Sequence, residues 1–470
     1  MTMKPTTKVN TPLLLAFELL NGYERKASAE KPWAKADEAL SQALDANPQL
    51  SPSQKGLLTH LVYGTLRYWL ELGSWIEYFT QKRLKDTPAS VRTVLRIALY
   101  QLRYLSAKEY AVVNEAVELG KKLRIPAGQL QLLNGVLRSY VRLQEETASE
   151  KAFPTLPLKP HLSPIERLAK TQSIPPWLAI DFAKVFAEAD LIPMFEACKL
   201  PAPLVVRVNQ LKTTVADYQA LLTENNITYS RPWVEMLPAC LVIESKIGSP
   251  TKLPDFATGS VYVQDFGSAF IAHQAQVKPH QTVIDLCAAP GSKTVFLAEQ
   301  LQLQGSLTAV DISARRLDRL KENANRLGIP WGAGDEAFLQ IVVASAMDFE
   351  TPNKADVIVV DAPCSGLGTV KRHPERLLSI TPEQIADYPP LQLAILKRGS
   401  QLLKPNGRLI YSTCSIHPAE NRAVVEAFLA SPEGEGFQIE SETLLPITPL
   451  HDGFYYAVLV GNHKKIIRET

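Results

Sequence analysis

Beyond residue 280 the chain carries five short, predominantly apolar runs: TVIDLC (282–287), SLTAV (306–310), LQIVVAS (339–345), DVIVVDAP (356–363) and GRLIYSTC (407–414). They are rich in β-branched residues, and helical segments such as SKTVFLAEQLQL and SARRLDRLKENANRLG separate most of them. Continuous apolar runs alternating with helices predict a parallel sheet covered on both faces. In such sheets ligands bind beyond the carboxyl ends of the strands. Function in this half should therefore be sought where the runs end.

The first third follows another rule. QKGLLTHLVYGTLRYWLELGSWIEYF sets Leu57, Leu58, Leu61, Val62 and Leu66 on one helical face. SVRTVLRIALYQLRYL and AVVNEAVELGKKL repeat the period, which predicts an all-helical domain over 1–150. The proline-rich stretch 151–165 reads as a linker. Residues 166–260 mix a helix (PPWLAIDFAKVF), a strand (PLVVRVNQLKT), a second helix (TVADYQALLTENN) and a further strand (CLVIES), a small α+β region. Residues 261–470 complete the α/β domain.

With 470 residues, the chain is too long for one ordinary core. No apolar run reaches the roughly 20 residues of a membrane span, and the N-terminal apolar stretch lacks a small-residue cleavage site, so it reads as a core helix. Five cysteines without a CxxC pair disfavour a disulfide framework and a metal site, and suit a reducing cytoplasm. A net charge of +2 leaves any nucleic-acid contact to local basic patches. The candidates are Lys121, Lys122 and Arg124, Arg138 and Arg142, and Lys371, Arg372 and Arg376; each reads equally as a solvated face.

Three strand ends carry unusual chemistry. DLCAAPGSKT opens a helix after the first run; Gly291 permits a tight backbone turn, and free N–H groups at the helix start face a polar ligand. The loop is neither a phosphate-binding Walker loop nor a GxGxxG fingerprint. Asp311 ends the second run about twenty residues on, where an acid suits the ribose hydroxyls of a nucleoside cofactor. Alone, this pair reads nearly as well as a turn with a helix cap. Asp361 ends the DVIVVDAPCSGLG run, followed by Cys364. Cys414 ends the last run, in YSTCSIHPAEN, and Pro418 should start a helix with Glu420 and Asn421 in its first turn. A thiol beside a helix start and basic groups gains thiolate character. A free cysteine is usually a small core hydrophobe, a role that fits poorly between Asp-Ala-Pro and Ser-Gly.

Together DLCAAPGSKT, DAPCSGLGTVKRHPE and YSTCSIHPAEN resemble the RsmB/Nop family of RNA cytosine-5 methyltransferases. The resemblance spans nearly the whole chain: LVYGTLRYW, LRIALYQLRYL, VVNEAVELGKKL and LLNGVLRS are similar to a NusB-like helical domain. VVRVNQLKT resembles the family's small RNA-binding region, GSVYVQDFGSAF the segment beside the first strand, and DGFYYAVL a closing antiparallel strand. The resemblance implies a Rossmann-like catalytic domain and S-adenosylmethionine as donor, with Cys287, Ala288, Ala289, Pro290, Gly291, Ser292, Lys293, Asp311 and Asp361 contacting it. One position departs from the family pattern: Ser345 stands where an acid is usual near the adenine, with Asp348 three residues on.

The resemblance further implies that Cys414 is the nucleophile and Cys364 the assisting group, with Asp361 and Lys293 on the base edge. The expected substrate is one cytosine of 16S rRNA, acted on by a cytoplasmic monomer without metal or membrane contact. Two alternatives stand beside it. In a DNA cytosine methyltransferase the Pro-Cys thiol would be the nucleophile. A non-catalytic RNA-binding assembly factor would keep the fold without the chemistry.

Overall fold

The computed structural model describes residues 11–26, 35–105, 107–147, 154–158, 160–334 and 337–461. The N-terminal ten residues and part of the expected linker (151–153 and 159) lie outside the described residues. The chain forms two compact units, residues 1–199 with 370–379, and residues 200–369 with 380–470.

The first unit is helical. Its helices include Pro12–Lys26, Pro52–Arg67, Trp69–Thr80, Ala89–Tyr104, Glu109–Lys122 and Ala127–Thr147. Ser51 starts one with a capping box, its Oγ accepting from Gln54 N at 3.3 Å while Gln54 Oε1 accepts from Ser51 N at 2.9 Å. Leu58, Leu61, Val62 and Leu66 are buried as the period requires. Leu57, at the rim of that arc, is 42% exposed. Two buried acids hold arginines: Glu24 pairs with Arg92 and Arg96, and Glu71 with Arg103.

Residues 370–379 join this helical unit although their neighbours in sequence do not. Arg67 Nη2 donates to the Lys371 carbonyl at 2.9 Å, and the N–H of Ala36 donates to Glu375 Oε1 at 3.2 Å. Lys371 is only 1% exposed, which corrects its reading as a phosphate-facing cation; Arg372 and Arg376 are half-buried. By contrast, Lys121, Lys122, Arg124, Arg138 and Arg142 are exposed.

The second unit holds two sheets. The smaller is antiparallel, in the order β2-β3-β1-β4, built from β1 (Leu204–Val208), β2 (Tyr229–Ser230), β3 (Cys240–Ile243) and β4 (Val261–Val263). The helix Val215–Glu224 buries Tyr218 and Leu222 with Val206, Val208 and Leu241. The helix Phe266–Gln274 covers Val205, Cys240 and Val242.

The larger sheet comprises β5 (Thr282–Leu286), β6 (Ser306–Asp311), β7 (Trp331–Gly332), β8 (Leu339–Val343), β9 (Ala355–Asp361), β10 (Leu403–Thr413), β11 (Phe437–Leu445) and β12 (Phe454–Gly461). Its order is β11-β12-β10-β9-β5-β6-β8-β7. The strands from β10 to β7 run parallel, as the apolar runs predict, and β12 and β11 close one edge antiparallel. From β5 the chain moves outward through β6 to β8, then returns to place β9 on the other side of β5. That reversal leaves a crevice at the carboxyl ends of β5 and β9.

One local expectation fails. Pro418–Glu420 is a separate 3₁₀ turn, and the helix starts at Arg422, running to Leu429.

Candidate active site

The loop after β5 turns sharply. Cys287 has φ +66° and Gly291 φ +105°, the left-handed region that disfavours side chains. A Cβ on Gly291 would also lie 2.5 Å from Leu320 Cδ1. The bend directs residues 287–291 over the strand end and lets the helix Ser292–Gln300 begin at once. Asp311, 3% exposed, fastens this loop to β6: its carboxylate accepts from Ala289 N at 3.1 Å and from Ser313 N at 2.9 Å. Burial pushes the Cys287 thiol pKa up, so it stays protonated.

At the ends of β6 and β8 the surface turns apolar. Ile312 is 75%, Val343 55% and Met347 44% exposed. Ser345 sits in the turn beyond β8, where its Oγ accepts from Met347 N at 3.3 Å; Asp348 is exposed. Apolar side chains left open beside a donor-rich loop and buried carboxylates suit a nucleoside that carries a positively charged group.

Toward β9 the site becomes charged. Lys293 Nζ lies 2.7 Å from Asp361 Oδ2, and Ser412 Oγ donates to Asp361 Oδ1 at 3.0 Å. Burial alone would lower the Lys293 pKa. The Asp361 charge and hydrogen bond, with Cys414 and Asp285 nearby, instead raise it above the usual lysine value. The side chain, 4% exposed, is therefore a fixed cation. Asp285, fully buried on β5, accepts from Thr294 Oγ1 at 2.6 Å; desolvation first, then Asp361, pushes its pKa up to about 7.

The two cysteines of interest meet at the ends of adjacent strands. Cys364 Sγ and Cys414 Sγ are 3.3 Å apart, within sulfur hydrogen-bonding distance, and both are half-buried free thiols. Register explains the meeting. β9 and β10 pair in parallel with Asp361 opposite Ser412, so Cys364 and Cys414 leave the sheet side by side. The hydrogen bond with Cys414 and then burial raise the Cys364 pKa well above the usual thiol value. Cys198 and Cys240, by contrast, are buried in the packing.

Sequence reasoning missed Glu420. It is wholly buried, and its carboxylate accepts from Ser365 and Ser415, the residues that follow the two cysteines. The available signal was the repeated Cys-Ser pair ahead of one acid. Among the described residues, no cluster of His, Cys, Asp and Glu could hold a metal ion, and no helix is long and apolar enough to cross a membrane.

Three family patterns match in turn: "NusB family" at 11–142, "Methyltr_RsmF/B-like, ferredoxin-like domain" at 174–248, and "16S rRNA methyltransferase RsmB/F" at 272–460. A probable ribosomal RNA small subunit methyltransferase B from Synechocystis sp. is 33% identical over 95% of this chain and 98% of its own. The ribosomal RNA small subunit methyltransferase B of Vibrio cholerae is 32% identical over 90% of this chain and 94% of its own. A solved methyltransferase homolog from Pyrococcus horikoshii superposes with a TM-score of 0.55 at 26% identity, over 64% of this chain and 100% of that one. With a relative this similar along almost its full length, the chain belongs to the ribosomal RNA small subunit methyltransferase B family, whose enzymes methylate small-subunit ribosomal RNA from S-adenosylmethionine.

Proposed function

We propose that this enzyme methylates C5 of one cytosine in 16S rRNA by covalent thiolate catalysis, with Cys414 as nucleophile and Cys364 as the assisting base. The observation that carries the reading is the pair of free thiols 3.3 Å apart beside the Lys293–Asp361 ion pair. Cytosine C5 is a poor nucleophile. Attack of the Cys414 thiolate on C6 forms an S–C6 bond and moves the ring electrons toward C5. The base must first be unstacked into the crevice, where Asp361 and Lys293 hold its polar edge. When bound, the donor supplies a sulfonium methyl group that C5 takes. The loop Cys287–Lys293, with Asp311, Ser345 and Asp361, is the surface assigned to the donor.

The last step is removal of the C5 proton and expulsion of Cys414. Cys364 resists ionisation chiefly because of its hydrogen bond with Cys414. Once Cys414 is bonded to carbon as a neutral thioether, that influence is gone. Cys364 can then lose its own proton to water and accept the one from C5, while the C6–S bond breaks and its electrons return to sulfur. The helical unit is assigned to substrate choice, and the enzyme is taken as a cytoplasmic monomer.

The test is denaturing electrophoresis of protein with RNA and donor. Cys364→Ala should accumulate a covalent adduct, and the Cys364→Ala/Cys414→Ala double variant should not. An adduct formed by Cys414→Ala, in which Cys364 is retained, would reverse the two roles and revive a DNA-type assignment.

A further inference from the structure

Two cysteines, each followed by serine, leave adjacent strands, yet the proposed mechanism needs them to act differently. What holds them in contact converges on one residue. Glu420 lies in the 3₁₀ turn after Cys414 and is wholly buried. Its Oε1 accepts from Ser365 N at 2.7 Å and from Gln392 Nε2 at 3.3 Å. Its Oε2 accepts from Ser365 Oγ and from Ser415 Oγ, each at 2.6 Å. These are four donors, two on each oxygen, with no cation among them. The same Gln392 nitrogen donates to the Pro363 carbonyl at 2.9 Å, so the residues on both sides of Cys364 are tied to this centre. Tyr411 Oη donates to the Glu420 carbonyl at 2.6 Å, which pins the turn back onto β10. The next residue, Asn421, completes the Cys414 side: it accepts from Thr413 Oγ1 at 2.6 Å and donates to the Ser415 carbonyl at 2.9 Å.

We infer that Glu420 is the positioning residue of the thiol pair, its single buried carboxylate fixing the Cys364 and Cys414 loops so that the two sulfurs meet. A buried carboxylate without a counter-ion is costly unless donors surround it. Here the donors are the very loops that carry the thiols, so losing the acid releases both loops together. After the hydrogen bond with Cys414 and burial, the Glu420 and Asp361 charges also disfavour a thiolate at Cys364.

This rests on the covalent reading above, but part of its test needs neither RNA nor methyl donor. Equilibration with reduced and oxidised glutathione forms a Cys364–Cys414 disulfide: two S–H bonds and one glutathione S–S bond break, one protein S–S bond forms, and the protons and electrons pass to glutathione. The fraction in disulfide-linked peptides 364 and 414 gives the effective concentration of one thiol at the other. Glu420→Gln should lower it at least tenfold, lower kcat at least tenfold with KM for RNA and donor within twofold, and recover part of both losses as Glu420→Asp. Ser365→Ala and Ser415→Ala, each removing one hydroxyl donor, should give smaller losses and replace Glu420→Gln if that variant does not fold. A folded Glu420→Gln, or both serine variants, with the wild-type effective concentration would overturn the inference. A lowered effective concentration alongside full turnover in Cys414→Ala would instead fell the covalent mechanism and leave the positioning role intact.

Discussion

The N–H of Gly368 donates to the Cys414 carbonyl at 2.9 Å, so the loop that carries Cys364 is bonded directly to the backbone of the other cysteine. The Gly368 carbonyl in turn accepts from Gly453 N at 2.8 Å. Three strand-end segments therefore meet at one glycine. A Cβ there would lie 1.9 Å from the Gly453 oxygen and 2.8 Å from the Cys414 oxygen.

Gly368→Ala should therefore force the loops apart, because backbone atoms cannot swing aside as a flexible side chain would. The expected loss is about 1–3 kcal/mol or more in stability, with turnover falling further than donor affinity. Calorimetric donor binding next to a turnover assay checks it; an active, stable Gly368→Ala protein would contradict the packing.

Lys293 and Asp361 should respond unequally to removal. Lys293 is 4% exposed and its partner 32%. Asp361→Ala strands a buried cation, a defect of about 3–5 kcal/mol. Lys293→Met leaves a carboxylate that water and Ser412 still reach, so it should fold well and lose turnover. Thermal unfolding of both variants would settle the order.

Asp285 should make stability fall as the pH rises from about 4 to about 7. Its pKa rises from 3.8 to about 7 in the fold, so between those values the folded chain keeps a proton that the unfolded chain has lost. Stability is greatest below the lower value and declines through the upper one, by at most about 4 kcal/mol for a shift of this size. Asp285→Asn should flatten the dependence, seen as a smaller change in Tm between pH 5 and pH 8.

If the helical unit grips RNA, its exposed cations should set the salt dependence. Replacing Lys121 and Arg138 by alanine should weaken binding at low salt and reduce the slope of log affinity against log salt by about 1–2. Lys371→Ala should leave the slope alone and reduce stability, since that side chain is buried. Filter binding across a salt series distinguishes them.

Much of the catalytic half was legible because parallel strands covered on both faces must be apolar throughout. Val283, Ile284, Val310, Val357, Val359 and Ile410 announce themselves that way, and the strand ends carry Asp311, Asp361, Cys364 and Cys414. The strand Phe437–Leu445 was harder to see. It is partly exposed along its length, and Glu440 and Glu442 interrupt it. Glu420 escaped because an acid after a proline reads as a solvated helix start; only the separate turn Pro418–Glu420 points it inward. Lys371 misled in the same way, since a basic run carries no mark of which lysine will be covered.

The excursion of residues 370–379 bears on how this protein can be inherited and rebuilt. The chain leaves the helical unit after Lys199, re-enters it at Val370 and departs again after Ser379. No single cut yields two whole parts. A truncation from the N-terminus removes Ala36 and Arg67 but leaves behind the Lys371 and Glu375 that they hold. The helical part is thus not a detachable cassette: a chimera that borrows a relative's N-terminal half should fold only if it borrows this ten-residue splice with it.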